Sequence, residues 1–114
     1  MQFSSSLKFN HIFQRLYRKG TSAANRYLVL YCRPNGSQNN RIGLTVSAKL
    51  AHAVCRNRVR RRLREIYRLH EQEFRPGYDI VVVARSRAID APYGELERAY
   101  LSLARRLSLL EEEA

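Results

Sequence analysis

The chain has 114 residues, 21 of them lysine or arginine against 10 acids, for a formal net charge of +11. That length suits one domain, residues 1–114, with a single modest core, and no apolar run approaches the roughly 18 residues that span a bilayer, so no membrane role is expected. The charge asks for a polyanionic partner, and because only Lys8, Lys19 and Lys49 are lysine, the planar arginine fork, suited to phosphate contacts and base stacking, favours nucleic acid.

Met1 to Asn10 lacks the long apolar centre of a secretory signal, and a cytoplasmic location is expected. Cys32 and Cys55 have neither Cys-x-x-Cys spacing nor a histidine at ligand distance, so both are expected to be buried, reduced thiols.

In chain order, Ser4-Ser5-Ser6 offers N-caps for a first amphipathic helix, in which Phe9, Ile12, Phe13, Leu16 and Tyr17 recur at helical spacing until Gly20 stops it. Lys8, Arg15, Arg18 and Lys19 take its other face. Thr21 to Asn25 reads as a polar linker. Residues 26–33 read as a strand, with Tyr27, Val29 and Tyr31 on one face and Leu28, Leu30 and Cys32 on the other, both at least partly covered. Residues 34–40 are a turn by composition, and 41–47 return as a second strand, which predicts an antiparallel hairpin with a long, mobile loop.

Ala48 to Val54 leads into a helix running to about Glu73. Val59, Leu63, Ile66 and Tyr67 form its narrow apolar stripe, and Arg56, Arg60, Arg61, Arg64 and Arg68 spread over an adjoining face. An ordinary solvated face mixes signs, yet Glu65 is the only acid from Arg56 to Arg68, and like charges at i,i+3 and i,i+4 repel. Neutralisation by a polyanion is the economical explanation. Arg75-Pro76-Gly77 ends the helix, and the apolar run Tyr78 to Ala84 suits a central strand buried on both faces. Asp90 and Pro92 open a last helix carrying Leu96, Ala99, Tyr100, Leu103, Leu107 and Leu110, with Glu111 to Glu113 as a frayed tail. The sum is an α+β fold in the order α-β-β-α-β-α, helices packed on a small mixed sheet.

A self-sufficient nuclease needs paired carboxylates for metal ions, or histidines as acid and base. Asp79 and Asp90 sit where turn and cap roles are commoner, and His11, His52 and His70 are scattered. His70-Glu71 resembles the opening of a zincin motif, but Phe74 stands where the second histidine is required. No catalytic residue and no metal ligand is therefore proposed in this chain. A binding surface remains: Phe13 and Tyr17 are one turn apart and Tyr31 is central on its strand, so helix-on-sheet packing would let three rings line one groove. Each stacked base is worth about 1–3 kcal/mol, although by spacing alone such rings are more often core.

Arg56-Asn57-Arg58, followed by Arg60-Arg61 and Arg64-Glu65, resembles the signature of the bacterial ribonuclease P protein subunit. Leu7-Lys8 with Phe13 and Gly20, the strand Leu28 to Tyr31, Gly43 to Ser47 before the basic helix, and Asp79 to Val81 with Ala84-Arg85 agree, so the likeness spans nearly the whole chain. The resemblance implies a left-handed crossover between parallel strands with the basic helix as connection, against the usual hand. It also implies that an RNA subunit, holding most of the magnesium ions, hydrolyses a phosphodiester to release the 5′ leader of precursor tRNA. The protein would bind that RNA and the leader; no obligate protein partner is inferred. On matching positions, Arg56, Asn57, Arg58, Arg60, Arg61, Arg64 and Arg68, with Lys49, become candidate contacts to the RNA subunit. Phe13, Tyr17 and Tyr31 become the leader cleft rather than plain core. The chain departs from the pattern at Ala48-Lys49-Leu50-Ala51-His52, where lysines are commoner, and at Tyr17, where phenylalanine is. The residues themselves leave open an independent endoribonuclease, a DNA-binding regulator with the arginine helix in a major groove, and a ribosomal protein.

Overall fold

The computed structural model describes residues 4–6 and 10–111. The elements are β1 (Ser4–Ser6), α1 (Asn10–Lys19), β2 (Thr21–Ala24), β3 (Leu28–Pro34), β4 (Asn40–Thr45), α2 (Ala53–His70), β5 (Tyr78–Ala84) and α3 (Tyr93–Arg106). The expected Lys8, Phe9 and the tail from Glu112 lie outside the described residues, as do the side chains of His11 and Ile12. The α+β class and the order of the six longer elements match the sequence reading.

The sheet is mixed, in the order β1-β4-β5-β3-β2. β5 is its centre, as its apolar run requires, and Ile80, Val81 and Val82 are fully buried. It pairs antiparallel with β3, from Leu28 opposite Ala84 to Pro34 opposite Tyr78. It runs parallel to β4, with Arg41 beside Asp79 and Thr45 beside Val83. The hairpin expected between β3 and β4 is thus corrected: β5 lies between them. A strand apolar on both faces is best served by hydrogen-bonded neighbours on both edges, so the segment joining β3 to β4 spans β5 instead of making a tight turn. It is not a free loop. The Asn35 amide donates to Gly77 O at 2.8 Å, and Asn35 Nδ2 donates to Asn39 O at 3.0 Å. Because β4 and β5 are parallel neighbours, a crossover must join them, and α2 is that crossover.

Two short edge strands replace features read otherwise. Ser4–Ser6, expected as N-caps, pairs parallel with Asn40–Ile42, and Thr21–Ala24, expected as linker, pairs antiparallel with residues 29–32. Polar edge strands carry no apolar alternation; backbone bonds to a neighbour define them. Gly20 sits between α1 and β2, its amide on Leu16 O at 2.9 Å. A Cβ there would lie 2.7 Å from Leu16 O and 2.9 Å from Cys32 O, so only glycine allows the helix to end so close to β3.

The side chains alternate across the sheet. Leu28, Leu30, Cys32, Ile42, Ile80, Val82 and Ala84 pack against Val59, Leu63, Ile66 and Tyr67 of α2 and Leu96, Ala99, Tyr100 and Leu103 of α3. The other face is smaller: Leu16 and Val81 are buried together, with Phe13, Tyr31 and Val83 against them. Leu16 is the main anchor of α1, worth about 1.5–3 kcal/mol of burial. Cys32 is buried, but Cys55 is only half-buried, because it lies at the flank of α2's apolar stripe. Asp90 does not cap α3; Pro92 precedes the first turn, with no side-chain cap bond. Leu107 and Leu110 fall beyond the helix, where Leu110 bridges to Phe74.

Candidate nucleic-acid interface

The apolar stripe read from the sequence, Val59, Leu63, Ile66 and Tyr67, is the set of α2 residues buried against the sheet. That docking fixes the rest of the helix. Asn57, Arg58, Arg61, Arg64 and Arg68 point to solvent, and Arg56 and Arg60 are half-buried along one flank. On the opposite flank Arg62 Nη1 donates to Ala91 O at 3.2 Å, tying α2 to the segment before α3, so Arg62 is structural.

Polar contacts sort the exposed cations further. Arg60 Nη1 donates to Asn57 Oδ1 at 3.1 Å, so the asparagine of the Arg-Asn-Arg stretch orients an arginine one turn on. Arg68 Nε donates to Glu65 Oε2 at 3.0 Å, and this bond holds the Glu65 carboxyl below its ordinary range. Arg58, Arg61 and Arg64 have no acidic partner among the described residues. Like-charge repulsion therefore remains uncompensated over the middle of α2. Its first turn contains no acid, and His52 makes no side-chain cap, which leaves the positive helix end open to anions. Lys49 is exposed just before it, in a turn where Ser47 Oγ accepts the Lys49 amide at 3.2 Å.

Phe13, Tyr17 and Tyr31 converge on the α1 side of the sheet. Phe13 and Tyr31 are half-buried against Leu16 and Val81, and Tyr17 is 39% exposed with its ring edge-on to Tyr31, centroids 4.9 Å apart. This cluster is part core and part surface. It lies on the sheet face opposite α2, so the arginines of α2 do not flank it. The sheet cations that share its face are Arg33 and Arg41, which composition and helical spacing did not single out. They lie in one row with Asp79, two residues along the strands from the row Tyr31, Val81 and Gly43. Only the insertion of the distant β5 between β3 and β4, in this register, brings them together.

Arg41 holds Asp79 with Nε on Oδ1 at 2.6 Å and Nη2 on Oδ2 at 2.7 Å, and Asn35 Nδ2 adds a bond to Oδ1 at 3.2 Å. The Asp79 carboxylate is thus committed to the fold. His70 lies between Glu73, on Nδ1, and Glu97, with Nε2 3.3 Å from Oε2. Burial disfavours its charged form, but the two carboxylates outweigh burial and raise its pKa. His52 is exposed at the other end of α2, so the two histidines do not form a pair. Among the described residues no three His, Cys, Asp or Glu side chains group as metal ligands, and no helix is long and apolar enough to cross a membrane.

The family model described as Ribonuclease P matches residues 1–108. A ribonuclease P protein component from Alkaliphilus oremlandii is 42% identical over 110 residues, covering 96% of this chain and 96% of its own. One from Desulforamulus reducens is 45% identical over 93 residues, 82% of each chain. The solved Staphylococcus aureus RNase P protein superposes with a TM-score of 0.86 at 34% identity, covering 93% of this chain and 97% of its own. Sequence, fold and the arginine face of α2 therefore agree: the chain belongs to the ribonuclease P protein family.

Proposed function

We infer that the chain serves as the protein component of ribonuclease P, the ribonucleoprotein that removes the 5′ leader of precursor tRNA, with its RNA subunit carrying the chemistry. A single observation carries the finer reading: α2 presents Arg58, Arg61 and Arg64 without acidic partners among the described residues, on a helix whose other side is locked into the core. A rigid, single-sign arginine face is suited to phosphates spaced along a folded RNA. In this reading Arg56, Asn57, Arg58, Arg60, Arg61, Arg64 and Lys49 contact the RNA subunit, and Arg68 joins them by exchanging Glu65 for a phosphate. Phe13, Tyr17 and Tyr31, across the sheet, take the single-stranded leader by stacking, which tolerates sequence. Magnesium is held mainly by the RNA subunit, the protein acts as one domain in the cytoplasm, and its contribution is to offset RNA repulsion and to raise affinity for precursor over mature tRNA.

The test is cleavage of a precursor tRNA at low magnesium by a bacterial ribonuclease P RNA, with protein absent, unaltered, or carrying Arg61→Ala and Arg64→Ala. The reading predicts inert protein alone, weak RNA alone, and restored cleavage at the mature 5′ end only with the unaltered protein. Cleavage by protein alone, or no effect of adding it, contradicts it.

A further inference from the structure

On the ring-bearing face, three charged residues form one row across the sheet: Arg33 of β3, Asp79 of β5 and Arg41 of β4, each the register neighbour of the next. The row holds two guanidinium groups and one carboxylate. Arg41 takes both oxygens of that carboxylate, and Asn35 takes a further position on Oδ1. Arg33, though it sits directly beside Asp79 in the ladder, has no acidic partner among the described residues. It is half-buried, and its Nη1 is buried with no hydrogen-bond partner among the described residues. A guanidinium N–H withdrawn from water and unmatched is costly to the free protein, and turning this half-buried side chain outward onto an anionic oxygen relieves that cost.

The surroundings narrow the ligand. The close approach at Gly20, whose Cβ would lie 2.9 Å from Cys32 O, brings the last turn of α1 next to this end of β3. Arg18 and Lys19 are exposed on that turn. Asp79, the acid in this row, is neutralised, so the local field is positive. The ring row at Tyr31 lies two residues away along β3, about 7 Å, which is of the order of one extended nucleotide.

We propose that Arg33 is a further substrate contact, binding a phosphodiester of the single-stranded leader one nucleotide beyond the bases stacked on Tyr17 and Tyr31. This rests on the reading that the rings hold the leader. Arg33 then sets how far the bound strand extends toward the segment between β3 and β4, and Asp79 is kept from competing for it by Arg41.

The experiment measures holoenzyme affinity for mature tRNA and for precursors whose leaders lengthen one nucleotide at a time, using unaltered protein, Arg33→Gln and Arg33→Lys. With unaltered protein, affinity rises stepwise with leader length. Arg33→Gln should remove one late step, about tenfold, while sparing mature tRNA and the shortest leaders, and should flatten the salt dependence of long-leader binding by about 0.7 in slope. Arg33→Lys should recover part of that step. A methylphosphonate at the corresponding linkage should weaken binding to unaltered protein and leave Arg33→Gln unchanged. Equal losses for mature tRNA and long leaders, or no loss with folding confirmed by thermal unfolding, would overturn the role of Arg33. If unaltered protein shows no gain with leader length, the leader-binding reading fails first, and this proposal fails with it.

Discussion

The guanidinium of Arg41 on β4 grips the carboxylate of Asp79 on β5 through two parallel bonds, 2.6 and 2.7 Å long, across a pair of parallel strands. The pair joins the two strands that α2 connects. Asp79 is nearly buried, whereas the Arg41 side chain keeps 38% of its exposure, so solvent screens part of the interaction. Asp79→Ala is expected to cost roughly 1–3 kcal/mol in urea unfolding, below the loss for a fully buried pair. The variant should still support precursor cleavage while folded, since Arg41 and Asn35 already hold both Asp79 oxygens within the sheet.

Asn40 makes a second brace. Its Nδ2 donates to Tyr67 Oη at 3.2 Å and to Arg75 O at 3.1 Å, and its Oδ1 accepts the Tyr78 amide at 2.8 Å, linking β4, α2 and the start of β5. At 4% exposure no water replaces these bonds readily. Asn40→Leu should therefore destabilise by about 2–3 kcal/mol, chiefly because the Tyr78 N–H loses its acceptor. Chemical denaturation with an unchanged m-value would confirm that only stability is lost.

His70 predicts a pH dependence. Its pKa is raised in the folded state because Glu73 and Glu97 outweigh the opposing effect of burial, so the charged imidazolium is favoured by folding. The stabilisation is fully present below the unfolded histidine value of about 6.5 and is lost as pH rises through the folded value above it. Thermal unfolding between roughly pH 6 and 9 should show this decline in the unaltered protein and a shallower one in His70→Gln. An identical decline in both would remove His70 as its source.

Binding of the ribonuclease P RNA should weaken steeply with salt. Contacts to about 6–10 phosphates would lower affinity about 10³- to 10⁵-fold between roughly 50 and 200 mM salt. Arg58→Ala, Arg61→Ala and Arg64→Ala should each reduce the slope by about one, whereas Arg62→Ala should act mainly on stability, because Arg62 is engaged with Ala91 O. A flat response would contradict the electrostatic mechanism.

The legible parts of the molecule were those whose pattern is local. The α2 stripe of Val59, Leu63, Ile66 and Tyr67, the buried run at β5 and the α3 repeat from Leu96 to Leu103 are periodicities that burial imposes directly on sequence. The insertion of β5 between β3 and β4, and the strands at Ser4–Ser6 and Thr21–Ala24, depend on backbone pairing that side chains barely encode. The site divides the same way. The α2 arginines are contiguous and announce themselves, while Arg33, Arg41 and Asp79 become a unit only through register. The rings were legible as a group, but the sheet face they occupy, opposite α2, follows from the alternation along β3 and β5.

If leader and RNA subunit are bound on opposite faces of one sheet, the ratio of holoenzyme affinities for precursor and mature tRNA separates the two surfaces. Tyr17→Ala with Tyr31→Ala should reduce that ratio by about 5- to 150-fold for each stacked base lost, while leaving affinity for the RNA subunit unchanged. Arg61→Ala with Arg64→Ala should weaken assembly with the RNA subunit but, at saturating protein, preserve the ratio. A ring variant that keeps full preference for the precursor, or an arginine variant that abolishes the preference without affecting assembly, would contradict the assignment of leader and RNA subunit to these two faces.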